Sequence, residues 1–97
     1  MTKAEIINEV AQQTGLTQIE VEATLVEILN SISSALQRGE RVDLRGFGNF
    51  TVQHRPARMG HNPATMERVR VAERYRPVFK ASPRLQDQVN KARIRGF

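Results

Sequence analysis

The chain has 97 residues, fifteen basic and ten acidic side chains, a net charge of +5 and no cysteine. A single domain is the most this length accommodates, and roughly 35–40 % of its unfolded surface stays exposed after folding, so a partner subunit is expected to complete the core. The lack of cysteine excludes disulfides and thiolate metal sites, and the short apolar runs exclude a membrane span. No apolar signal core stands at the N-terminus, so a cytoplasmic location is expected.

The first forty residues carry two punctuated helix signals. Thr2 with Glu5, and Thr17 with Glu20, have capping-box spacing; Met1 with Ile6, and Leu16 with Val21, are placed as hydrophobic staples. Ile6, Ile7, Val10 and Ala11 form the apolar stripe of the first helix, which Gly15 ends. The second helix places Val21, Leu25, Ile28, Leu29, Ile32 and Leu36 at three-to-four spacing and closes at Gly39. The short connection predicts a helical hairpin, and the longer stripe exceeds what one short helix covers.

From Arg41 the period changes to two. Val42 and Leu44 alternate with Arg41, Asp43 and Arg45, and Gly46-Phe47-Gly48 turns the chain into Asn49-Phe50-Thr51-Val52. Residues 53–76 hold almost no large apolar side chain and cannot form a core. Val69 and Val71 keep a strand rhythm around the turn signal Gly60-His61-Asn62-Pro63, which predicts a two-stranded ribbon projecting from the body. Isolated ribbons are marginal in water, so the unbound arm is expected to be mobile. Val78 and Phe79 return the strand to the body, and Ser82-Pro83 starts a last helix whose Leu85, Val89 and Ala92 are expected to face inward. The basic tail from Lys91 to Phe97 is expected to fray.

Charge is segregated along this plan. Residues 1–52 hold four basic and seven acidic side chains, whereas residues 53–80 hold seven basic side chains against Glu67 and Glu73. With twelve arginines to three lysines, the asymmetry points to a polyanion partner met by guanidinium forks. Enzymatic readings fail. Both histidines lie in the arm, no carboxylate pair sits in a plausible pocket, and Gly46-x-Gly48 lacks the third glycine and following helix of a dinucleotide fingerprint. No cofactor or small-molecule substrate is expected.

The Gly46-Phe47-Gly48-x-Phe50 turn and the Arg58-x-Gly60-x-Asn62-Pro63-x-Thr65 tip, in this order of elements, resemble the bacterial HU and integration host factor proteins over nearly the whole chain. The resemblance implies an α+β fold: a helical hairpin, a three-stranded antiparallel sheet with a long β-ribbon arm, and a C-terminal helix, in an intertwined dimer. The chain is then a single domain, with 1–52 and 77–97 as dimer body and 53–76 as arm. The dimer is a homodimer or a heterodimer with a paralogue, with Leu25, Ile28, Leu29, Ile32, Leu36, Phe47, Phe50 and Phe79 in its core. The implied partner is double-stranded DNA, gripped in the minor groove and bent, within the nucleoid. Arg55, Arg58, Gly60, His61, Asn62, Thr65, Arg68, Arg70, Arg74 and Arg76 are the expected DNA-binding residues of the arm. Pro63 is rigid, apolar and without an N–H, and is expected to intercalate. Lys3, Gly46, Lys80 and Arg84 are expected to meet phosphates from the body.

Arg45, two residues from Asp43, follows the pattern of the integration host factor beta subunit. It either enters the minor groove with the acid orienting it or serves as a surface ion-pair partner of Asp43. Two positions depart from the family. Met66 stands where glycine is usual, and is strained if a positive φ is required; His61 stands where a permanent cation is common. The competing reading is a basic-armed module that binds structured RNA or a protein scaffold.

Overall fold

A computed structural model of the chain describes residues 1–94. In chain order the elements are α1 (Lys3–Thr14), α2 (Gln18–Gln37), β1 (Val42–Leu44), β2 (Gly48–Arg55), β3 (Arg58–His61), β4 (Arg68–Val71), β5 (Arg74–Ala81) and α3 (Pro83–Lys91). Three helices with antiparallel strands make an α+β chain, as expected. Contacts divide it into two compact units, one of Met1–Ala35 and one beginning at Leu36. The last three residues of the basic tail lie outside the described residues.

In the first unit the threonines begin the helices. Glu5 N donates to Thr2 Oγ1 at 3.2 Å, and Glu20 N donates to Thr17 Oγ1 at 3.1 Å. Thr17 N also donates to Glu20 Oε1 at 3.4 Å, closing the reciprocal box. Gly15 stops α1 at φ 77, a left-handed conformation that a side chain resists, and its N–H donates to Ala11 O at 3.0 Å. Gln18 Nε2 donates to Asn8 Oδ1 at 3.0 Å and ties the two helices. Ile7 and Val21 are the buried hydrophobic residues, one from each helix. Met1 remains 82 % exposed, so the expected staple onto Ile6 is largely open.

The second unit is built on a three-stranded antiparallel sheet in the order β1-β2-β5. Leu44 pairs with Gly48 across a three-residue loop; Phe47 N donates to Leu44 O at 2.9 Å, and Gly46 at φ 84 takes the position where a type II turn needs a positive φ. Gly48 is buried for another reason. A Cβ there would stand 2.6 Å from both Lys80 O and Phe79 Cζ, so only glycine lets β5 approach. Phe79 packs on Phe50 and Phe47 with ring centroids 4.9 and 5.6 Å apart. Ser82 caps α3 by accepting from Leu85 N at 3.1 Å, with Pro83 in the first turn.

One chain covers its apolar side chains poorly. Leu25, Ile32, Leu36 and Phe50 are half-buried, whereas Ile28, Leu29, Phe47 and Phe79 are 51, 48, 51 and 41 % exposed. On α3 Leu85 is half-buried and Val89 is 50 % exposed in the single chain, and the expectation for Ala92 is corrected: it is the exposed cap beyond the helix. Nine residues give two and a half turns, and the stripe ends where the helix does.

Candidate nucleic-acid interface

Past Phe50, β1 no longer accompanies β2, and the β2–β5 ladder runs on alone to the rung Arg55↔Arg74. There it stops. Pro56 has no N–H to offer, and Pro56 and Ala57 on one strand and Ala72 and Glu73 on the other lie outside any strand. Pairing resumes at Arg58↔Val71 and ends at His61↔Arg68, as a separate two-stranded ladder. The arm is therefore an inner and an outer ribbon, where the sequence suggested one. Two residues are skipped on each strand, so the register is the same on both sides of the gap.

That register sorts the side chains, because directly opposed residues share a face and successive residues alternate. One face carries the rungs Asn49↔Lys80, Gln53↔Arg76 and Arg55↔Arg74, and in the outer ribbon Met59↔Arg70 and His61↔Arg68. The other carries Phe50↔Phe79, Val52↔Pro77 and His54↔Tyr75, then Arg58↔Val71 and Gly60↔Val69. By register, five arginines of the arm thus share one face with Lys80 at its root, while Arg58 has the opposite parity but joins Arg55, Arg74 and Arg76 around the gap. At the gap, Arg55, Arg58, Arg74 and Arg76 with Pro56, Val71 and Ala72 surround an open depression of about 370 Å³. All these arginines are exposed, and none is in an ion pair among the described residues. Arg55 Nη2 donates to Gln53 Oε1 at 3.3 Å on its own strand. Directly opposed like charges such as Arg55 and Arg74 are destabilising, so the free arm holds a cationic face that its own fold does not need.

Asn62 organises the tip. Its N–H donates to Glu67 O at 2.8 Å, its C=O accepts from Met66 N at 2.7 Å, and its Oδ1 accepts from Ala64 N at 3.0 Å. Pro63 sits at the start of the turn that these bonds hold. Thr65 Oγ1 accepts from Glu67 N at 3.4 Å, so the tip threonine is part of the turn. Met66 adopts φ 59, the left-handed region that a non-glycine side chain enters at a cost of roughly 1–2 kcal/mol. Methionine adopts the positive φ here. Gly60 has no positive φ, and a Cβ there would meet Val71 Cγ2 at 3.4 Å, an ordinary contact, so neither conformation nor space requires glycine at this position.

On the body, Ser82 Oγ donates to Gly46 O and Ser82 N donates to Phe47 O, both at 2.9 Å. These bonds bring Arg45 and Gly46 to the N-terminus of α3, where Arg84 lies 3.6 Å from the place of a Gly46 Cβ. A cation in the first turn opposes the helix dipole, which favours an anion there. Lys3 is exposed at the first position of α1 in the other unit. The pairing of Asp43 with Arg45 is corrected. Arg45 lies in the turn beyond β1, and Asp43 Oδ2 lies 3.8 Å from Arg41 Nη2 instead.

One group in the arm was not singled out from the sequence. His54 Nε2 and Glu73 Oε1 are 2.8 Å apart, Tyr75 Oη donates to the same Glu73 oxygen at 3.0 Å, and the His54 and Tyr75 rings stack at 4.8 Å. The hydrogen bond from His54, then that from Tyr75, holds the Glu73 carboxyl below the usual glutamate range, and the bond to Glu73 pushes the Tyr75 phenol up. Only the cross-strand register brings these three together.

Residues 1–90 match the family described as bacterial DNA-binding protein. Integration host factor subunit beta of Halorhodospira halophila is 43 % identical over 94 residues, which is 96 % of this chain and 92 % of the relative. DNA-binding protein HU of Clostridium pasteurianum is 42 % identical over 91 residues, which is 94 % of this chain and all of the relative. Among solved structures, a cocrystal of Anabaena HU with DNA superposes with a TM-score of 0.83 at 34 % identity, covering 92 % of this chain and 97 % of that one. The matched span takes in both helices, the sheet, both ribbons of the arm and nearly all of α3; the chain belongs to the bacterial DNA-binding protein family of HU and integration host factor, whose members are not enzymes.

Proposed function

We propose that this chain is an architectural DNA-binding protein that grips the minor groove with its arms and bends the duplex, a mode for which HU and integration host factor are standard examples. Two copies, identical or paralogous, form the body from residues 1–52 and 77–97, burying the apolar face of α2 and the phenylalanine cluster. The arm, residues 53–76, lies along the groove with its cationic face to the phosphates. Counterion release supplies most of the affinity. Pro63 enters a base step at the tip, at a cost of roughly a few kcal/mol for unstacking, and flanking DNA folds back onto Lys3, Lys80 and the Arg45–Gly46–Arg84 corner. Such a protein works in the nucleoid and assists recombination, replication or transcription.

The observation that carries this reading is the one-sided arm: five arginines on one register face, none of them in an ion pair among the described residues. A ribbon with its charges balanced by its own acids has no need of a polyanion. Energy transfer between dyes at the ends of a short duplex tests the reading. Protein is expected to bring the ends together and to lose affinity steeply with salt. A straight duplex, or equal preference for a structured RNA, sinks it in favour of an RNA or scaffold module. Competition with random DNA separates a non-specific binder from one whose Arg45 reads groove width.

A further inference from the structure

The gap between the two ribbons lacks the ladder bonds that would fix the outer ribbon relative to the inner one. Backbone pairing stops at Arg55↔Arg74 and resumes at Arg58↔Val71. Among the described residues, the bond from His54 to Glu73 is the side-chain hydrogen bond that joins the two strands of the arm, and Glu73 is itself one of the four gap residues. Tyr75 supports it twice, by donating to the same oxygen and by stacking on the imidazole. An acid here is at odds with the arm's purpose. Glu73 lowers the charge of a polycationic segment, next to arginines that face a polyanion, and electrostatics alone favours its removal.

We propose that His54, Glu73 and Tyr75 form a clamp that sets the bearing of the outer ribbon across the gap, so that an acid is kept in the DNA-binding arm for geometry. The inference rests on the DNA-binding reading for its consequence, though the clamp itself is a property of the free protein. His54 and Tyr75 form the last rung on the non-cationic face, where their stack opposes the splaying of Arg55 and Arg74 on the other face. Glu73 then extends the tie one residue into the unpaired segment. The neighbouring charges are Arg55, Arg74 and Arg76 on the far face and Arg58 beyond the gap, all cations, so Glu73 carries the acid that His54 addresses. With the bearing fixed, the cationic faces of inner and outer ribbons follow one groove together. These three are positioning residues and need not touch DNA.

The test turns on the sign of an effect. Glu73→Ala raises the net charge of the arm by one and removes both hydrogen bonds, while Glu73→Gln raises the charge equally but keeps an acceptor in place. In the free protein, nitrogen-15 relaxation is expected to show lower order parameters at the Met59 and Arg70 amides for Glu73→Ala, with most of the order regained in Glu73→Gln. On a dye-labelled duplex, Glu73→Ala is expected to bind several-fold more weakly and bend less despite its extra positive charge, and Glu73→Gln to recover. Unchanged order parameters together with tighter binding by Glu73→Ala overturn the clamp. If order falls in Glu73→Ala while the native protein leaves DNA straight, the clamp stands and the DNA-bending reading falls.

Discussion

The one-sided arm makes a quantitative statement about salt. Arg55, Arg68, Arg70, Arg74 and Arg76 share the cationic register face of each arm. Each phosphate neutralised on duplex DNA contributes about 0.9 to the slope of log affinity against log salt, so this face of two arms accounts for a slope of at most about −9. Arg70→Gln removes one contact from each arm and is expected to reduce the slope by about 1.8. Between about 50 and about 200 mM salt, the variant then loses roughly twelve-fold less affinity than the native protein. Arg38→Gln is the control, because Arg38 lies outside the arm and already meets Glu40 at 3.1 and 3.3 Å. Anisotropy titrations at four or more salt concentrations read both slopes. An unchanged slope for Arg70→Gln, or an equal loss for Arg38→Gln, refutes the assignment of the arm's face to phosphate.

Pro63→Ala is expected to reduce the bend seen by energy transfer while leaving the salt slope intact, because the residue is uncharged; a parallel loss of both contradicts a wedge role. Gly48→Ala places a Cβ 2.6 Å from Lys80 O and should destabilise the fold by about 1–3 kcal/mol, read from denaturant midpoints, and a neutral result disproves the close approach. Met66→Gly removes the left-handed penalty at φ 59 and should slow exchange of the amide at position 66, which bonds to Asn62 O; faster exchange shows that the turn does not need that conformation. Because Glu73 is held low, its contacts persist above the usual glutamate range and are lost as pH falls through the lowered value. The Tyr75 contact behaves oppositely, persisting past the usual phenol range and lost on further rise. Carboxyl carbon-13 titration of Glu73 at an ordinary glutamate value rules out the cluster in solution.

What could be read from the sequence was whatever is decided within a few residues. Thr2, Thr17 and Ser82 cap helices, and Gly15, Gly39 and Gly46 take positive φ because each signal acts over one turn of chain. The arm's existence followed from its lack of apolar side chains. Its interior did not, because register is normally fixed by a buried hydrophobic face and residues 53–76 have none. Hence the sorting of arginines by face, the gap at Pro56 and the meeting of His54 with Glu73 nineteen residues away needed the pairing itself. Asp43 shows the same limit on a smaller scale. Arg41 and Arg45 stand equally far from it along the strand, and its distance of 3.8 Å from Arg41 was not decided by spacing. Met66 departs from the family's glycine, and its φ of 59 lies in the left-handed region that a side chain resists.

The rung of Arg55 against Arg74 has a consequence for how the arm behaves before it meets a ligand. Like charges on directly opposed residues weaken the pairing there, and a multivalent anion that meets both removes the repulsion. Inorganic polyphosphate or a sulfated polysaccharide, neither of which has a groove, should therefore stiffen the base of the arm without engaging its crest. The base of the finger is weakened by its own charge and is tightened by whatever discharges it.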